Sequence, residues 1–96
     1  MFSVVLRPHA EIRMAQRGIR IEQIRNVLNY GRRKHIRKAT VYFLGRKELR
    51  YFRQNNPALE LSLRDSQNIH VVLRNNSVLT VYRNACPNLK EHAWFG

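Results

Sequence analysis

His9, Arg13 and Arg17 stand at i, i+4 and i+8. On a helix that spacing makes one stripe, drifting about 40° per step. Ala10 and Met14 form a parallel apolar stripe beside it. A helix carrying both would bury the apolar pair and aim an imidazole and two guanidiniums along its flank. An imidazole exchanges a proton near neutral pH. A guanidinium stays protonated, so it cannot act as a base, but it stabilises charge developing on a phosphate. One proton-transfer group beside one fixed cation is the minimum for metal-free RNA cleavage, in which a 2′-hydroxyl attacks its own phosphate. The same spacing also describes an ordinary solvated helix face, and the stripe alone leaves both readings open.

A second constellation lies near the C-terminal end. Strict alternation along residues 78–83 turns Leu79, Val81 and Arg83 one way and Val78, Thr80 and Tyr82 the other. If the second set meets the polar flank of the first helix, Thr80 and Tyr82 add hydroxyls near His9. Tyr82 alternatively stacks on a base, or is an ordinary strand tyrosine. His70, on the partner strand, is the lesser candidate, because single strand histidines are commonly structural or solvated.

The third feature is basic. The run Arg32, Arg33, Lys34, His35, Ile36, Arg37, Lys38 sets six basic side chains around one apolar residue. It reads as a linker-like loop that grips phosphate, or as a patch like a nuclear-localisation signal. Arg46, Lys47, Arg50 and Arg53 follow, and nine of the 18 Lys and Arg residues lie between Arg32 and Arg53. Tyr42, Phe43, Tyr51 and Phe52 interleave with these cations; stacking on bases and core packing are both open to them.

Charge over the whole chain agrees with a polyanionic partner. Its 96 residues carry 18 Lys+Arg against 6 Asp+Glu, a formal net charge of +12. Arg outnumbers Lys 14 to 4, and the planar guanidinium fork suits phosphate and base stacking. Nucleic acid is therefore the first expected partner, ahead of an acidic protein or anionic lipid. The six acidic residues are isolated, which argues against a magnesium nuclease. Cys86 is alone among four scattered histidines, so neither an internal disulfide nor a zinc cluster is expected. No cofactor or metal is expected. No apolar run approaches the roughly 18 residues of a membrane span, and Met1 to Leu6 lacks the layout of a signal peptide. A reducing, cytoplasmic location follows as an expectation.

The elements that must position these residues are partly punctuated. Pro8 opens a predicted helix over 8–17, and Gly18 closes it in the left-handed conformation. A second helix over 21–30 carries Ile24, Val27 and Leu28 on one stripe, with Gly31 closing it in the same way. The rest reads as strands over 39–44, 48–53, 59–63, 69–74 and 78–83. Asn75-Asn76 makes a tight hairpin of the last two. Around Asn88 the tail fits either one helical turn or an irregular end. The expected fold is α+β, one domain over 1–96, with two N-terminal helices packed on one face of a roughly four-stranded antiparallel sheet.

The string His9-Ala10-x-x-Arg13-Met14-x-x-Arg17-Gly18-Ile19, followed late in the chain by Val78-Leu79-Thr80-Val81-Tyr82-Arg83, resembles the bacterial DUF4258 family. The resemblance spans roughly residues 5 to 83. Its pattern is similar to small RNase toxins of the RelE/colicin-like group, which implies a RelE/barnase-like fold and a metal-independent endoribonuclease. It further implies a toxin of a toxin–antitoxin or polymorphic-toxin system. The implied partners are RNA, including tRNA or ribosome-bound mRNA, and an acidic antitoxin or immunity protein. Carried over, His9 is the general acid or base, Arg13 stabilises phosphate, Arg17 assists or holds the helix, and Thr80 and Tyr82 line the site. Arg32, Arg33, Lys34, Arg37, Lys38, Arg46, Arg50 and Arg53 form the expected grip on the backbone. A non-catalytic RNA- or ribosome-binding module uses the same surface without turnover.

Overall fold

The structure is a computed structural model and describes residues 4–84. Cys86 and the expected turn after Asn88 lie outside the described residues. The two N-terminal helices fall where the punctuation puts them. Helix α1, Pro8–Arg17, starts with proline in its first turn and ends at Gly18, with φ 63 and ψ 37. Helix α2, Ile21–Tyr30, buries Ile24, Val27 and Leu28, each contributing about 1.5–3 kcal/mol through removal from water. Its N-terminus is tied by Gln23, whose side chain accepts from the Arg20 N–H at 2.8 Å. Gly31, however, is extended at φ -77, not left-handed. Glycine is required there by space: a Cβ would stand 2.6 Å from the carbonyl oxygens of both Phe43 and Val27.

A short strand β1, Val5–Leu6, precedes α1. Strands β2, Arg32–Ile36, and β3, Ala39–Phe43, follow α2. The expected phosphate-gripping loop is therefore an edge strand. Four of its five residues are exposed, as suits an edge that must not pair with a second chain. The turn is Arg37-Lys38, with Arg37 at φ 56.

Two expected strands are helices. Residues 48–53 belong to α3, Arg46–Asn55, and residues 59–63 to α4, Pro57–Leu63, which runs into a 3-10 turn over Arg64–Ser66. In α3, Leu49 and Phe52 pack inward at i, i+3, while Glu48 accepts from the Gly45 N–H at 2.8 Å and closes the first turn. In α4, Asn56 caps the start through its bond to Leu59, and Pro57 takes the first helical position. The Leu-x-Leu-x-Leu alternation is broken by burial: Leu63 is fully buried, Leu61 is 61% exposed, and Glu60, between Leu59 and Leu61, is buried.

Strands β4, Ile69–Arg74, and β5, Ser77–Arg83, form the expected hairpin. Asn75 and Asn76 both have positive φ, the signature of a tight primed turn. The sheet order is β1-β5-β4-β3-β2; β1 is parallel to β5 and the other pairs are antiparallel. Over the described residues the fold is α+β, with a five-stranded mixed sheet and four helices in place of two helices on four antiparallel strands. All four helices contribute to one apolar cluster, through Ala10, Ile24, Leu49 and Leu63 among others, against Val71, Val78 and Val81. A second cluster on the opposite sheet face draws only on strand residues, among them Val41, Val72 and Tyr82.

Register within the hairpin overturns the expected alternation along β5. Thr80 pairs with Val72 and Val78 with Leu73, so Leu79 is the extra residue of a β-bulge. The bulge puts Val78 and Val81 together on the helix face and leaves Thr80 and Tyr82 on the other.

Candidate functional site

Four strands place one residue each in a single row. Arg32 of β2 pairs with Phe43 of β3, Phe43 with His70 of β4, and His70 with Tyr82 of β5. Direct cross-strand neighbours share a face, so the side chains stack. The Arg32 guanidinium lies 4.6 Å from the Phe43 ring centre. Phe43 and His70 stack at 5.0 Å and 3°, and His70 and Tyr82 at 4.9 Å and 11°.

His70 is 1% exposed. Its Nδ1 lies 3.2 Å from the Asn68 carbonyl oxygen, which can only accept, so Nδ1 carries the proton and Nε2 presents a lone pair. Among the described residues Nε2 is buried without a hydrogen-bond partner, as is the Tyr82 hydroxyl. Burial holds the imidazole below its ordinary value near 6.5, opposed by the Asn68 hydrogen bond. Burial likewise pushes the Tyr82 phenol up. The row thus contains a neutral imidazole and a protonated phenol at pH 7. Each orphaned buried polar atom costs about 1–3 kcal/mol.

Beside the row is a pocket of about 610 Å³, walled by His70, Arg32, Arg46, Lys47 and Arg50 among others. Arg32 is steadied by Glu48 at 3.4 Å. Arg46, Lys47 and Arg50 stand in the first turns of α3, whose N-terminal end itself favours anions. A second pocket of about 340 Å³ shares Arg46, Arg50 and Gln67 with the first and adds Arg53, Glu60 and Arg64. There Glu60, 2% exposed, receives two bonds from Arg64 at 3.0 Å each, with Arg53 3.7 Å away. The Arg64 hydrogen bond holds the Glu60 carboxyl below its usual range, against the opposing effect of burial.

His9 and Arg13 are adjacent, as their spacing predicts, with Arg13 Nε 3.4 Å from His9 Nε2 and a further bond to Gln16. The pair lies on the exposed flank of α1. Arg17 is drawn away from it, donating to the Val81 carbonyl oxygen. Arg83 returns the contact by donating to the Arg17 carbonyl oxygen and tying down the helix end. Helix α1 therefore runs beside β5 from the Val78 end, where the Arg7 N–H bonds Val78 at 3.2 Å, to the Arg83 end. His9 is displaced by about 12 Å of helix rise from Arg17, towards the end of the sheet away from the pocket. Thr80 and Tyr82 face Val72 and His70 on the opposite sheet face. The structure thus brings His9 to Arg13 and Tyr82 to His70, and does not gather the five expected site residues into one place.

The expected backbone grip also divides. Arg32, Arg46 and Arg50 meet in the first pocket; Arg46, Arg50 and Arg53 meet in the second. Along β2, Arg32 and Lys34 lie on one face and Arg33 on the other, while Arg37 and Lys38 turn the chain at the far end from the pocket. Sequence reasoning set His70 below His9 and passed over Arg64. A helical reading of 57–63 would have exposed the Glu60–Arg64 pair at i, i+4; nothing local marks His70, whose partners arrive by register.

Among the described residues no three His, Cys, Asp or Glu side chains gather as metal ligands, and no helix is long and apolar enough to cross a membrane. The molecule is a basic α+β domain with a cationic pocket at one end of its sheet. A profile of the family described as Domain of unknown function (DUF4258) matches residues 6–83, and the chain belongs to that family. No curated protein and no solved structure matches it.

Proposed function

We propose that this protein is a metal-independent endoribonuclease of the toxin type, acting on RNA in the cytoplasm, with its site in the cationic pocket. The observation that carries the reading is the convergence of Arg32, Arg46, Lys47 and Arg50 on a pocket that also borders His70, whose Nε2 lone pair is unused. In that mechanism the side chains covering His70 Nε2 must part, so that it takes the proton of a 2′-hydroxyl as that oxygen attacks the adjacent phosphorus. The guanidiniums stabilise the extra charge on the phosphate oxygens. The bond to the 5′ oxygen breaks, Lys47 is the available donor for that leaving oxygen, and the product ends in a 2′,3′-cyclic phosphate. The toxin assignment, with an acidic antitoxin or immunity protein as partner and a RelE-like relationship, rests on the sequence motif around His9 and Arg13. That motif defines the rival placement of catalysis, in which His9 transfers the proton and Arg13 stabilises phosphate.

A second reading, a non-catalytic RNA-binding module, is favoured by one observation: Nε2 of His70 is covered by protein. The test is incubation of purified protein with RNA in EDTA at about 0.15 M salt, with analysis of the new ends. New 2′,3′-cyclic phosphate ends, lost in the Arg46→Ala, Arg50→Ala double variant, support the enzyme at this pocket. Binding with no new ends selects the non-catalytic module. Absence of binding contradicts both.

A further inference from the structure

We infer that the two adjoining pockets form one track for consecutive phosphates of a single-stranded polynucleotide, and that buried Glu60 is the residue that positions Arg64 within it. This rests on the reading that the first pocket takes an RNA backbone. The pockets have a common wall of Arg46, Arg50 and Gln67. Arg46, Arg50 and Arg53 follow one another at i, i+4 and i+7 on α3, so they present one cationic stripe. From first to last the stripe rises about 10 Å, too far for all three to converge on one phosphate. Among the described residues Arg46 and Arg50 have no acidic partner, so their charge remains available to a ligand.

The far end of the track is built differently. Arg64 uses Nε and one terminal nitrogen on Glu60 and keeps its other terminal nitrogen. Its side chain is 59% exposed while that of Glu60 is 2% exposed. A buried carboxylate thereby fixes the direction of an exposed guanidinium, which reduces the rotamer freedom lost when a phosphate binds. Concave pockets admit a flexible strand more readily than a rigid duplex. Tyr51, 60% exposed on α3 one turn beyond Lys47, offers a ring on which an unpaired base can stack.

The experiment is competition binding by fluorescence anisotropy against a labelled uridine octamer, across a salt series. The competitors are UMP, UTP, unlabelled octamer and an RNA duplex. The wild type should bind the octamer at least tenfold more tightly than UMP, UTP or the duplex. Arg64→Ala should weaken the octamer several-fold, reduce the slope of log affinity against log salt by about 0.7, and leave UMP unchanged. Glu60→Gln removes a negative charge, yet should weaken the octamer, because Arg64 loses its anchor. Strengthened octamer binding by Glu60→Gln overturns the positioning role. Arg64→Ala, at an exposed position, keeps the track testable if the Glu60 variant does not fold. UTP or duplex binding as tight as the octamer, or an unchanged octamer affinity in Arg64→Ala, overturns the track. In that event continued weakening by Arg46→Ala shows that the RNA reading of the first pocket survives. No effect from either Arg46→Ala or Arg64→Ala removes the underlying reading as well.

Discussion

His70 makes two demands that pull in opposite directions. Its ring packs between Phe43 and Tyr82, a structural role, while its unpartnered Nε2 has the state a general base needs. His70→Phe separates them, because it keeps a ring in the stack and removes both nitrogens. The burial-lowered proton affinity also gives a sign for stability. The unfolded chain binds a proton near pH 6.5 and the folded chain only at lower pH, so this contribution is fully present above about 6.5. It is lost progressively as pH falls from there towards the folded value. Denaturant unfolding at pH 7.5 and pH 5 should show wild type losing more stability than His70→Phe over that interval. Gly31 supports a second prediction at this scale. A Cβ 2.6 Å from two carbonyl oxygens cannot be absorbed by side-chain movement, so Gly31→Ala should cost about 1–3 kcal/mol in the same assay.

Among the elements, α4 gives the clearest test. As a strand, residues 59–63 would set Leu59, Leu61 and Leu63 on one face. As a helix they do not, and Leu61→Ser should change stability by no more than about 0.5 kcal/mol. Leu63→Ala should cost about 2–5 kcal/mol, the ordinary range for emptying a buried leucine site. Equal costs at both positions would contradict the helix. Helices α1 and α2 and the last hairpin were legible because their signals are local: Pro8, Gly18, the stripe of Ile24, Val27 and Leu28, and Asn75-Asn76. Helix α3 was hidden by the adjacent aromatics Tyr51 and Phe52, which mimic a strand centre. Its helical logic appears only when Arg46, Arg50 and Arg53 are set against Leu49 and Phe52. Strand β2 carries almost no apolar pattern because it is a cationic edge. The bulge at Leu79 is a property of pairing with β4, and no reading of 78–83 alone contains it. That one inserted residue decides that Tyr82 meets His70 and Val78 meets the helices.

Over the whole molecule, the charge excess is organised by position rather than by density. The densest run in sequence, Arg32 to Lys38, is divided by β2 between two faces and a turn, and only Arg32 reaches the pocket. The later cations Arg46, Lys47 and Arg50 do so together because α3 holds them on one end of the sheet. Composition made the cationic excess legible; the candidate site was only half legible, since its cations are local on α3 but its histidine is assembled from four strands. At matched salt, the Arg46→Ala, Arg50→Ala pair should therefore lower RNA affinity and flatten its salt dependence by about 1.4 in log–log slope. An Arg37→Ala, Lys38→Ala pair, which removes the same charge at the far end of β2, should have the smaller effect. Equal effects would mean that RNA responds to net charge alone. The proposed place of RNA cutting is the pocket at His70 and not the flank of α1. That placement is tested most directly by single-turnover cleavage in EDTA, comparing wild type, His70→Phe and His9→Ala. His70→Phe should lose about 10²–10⁴-fold with its fold intact, and His9→Ala should cleave within about threefold of the wild-type rate. Wild-type cleavage by His70→Phe, with loss in His9→Ala, would contradict it and move the chemistry to the His9–Arg13 pair.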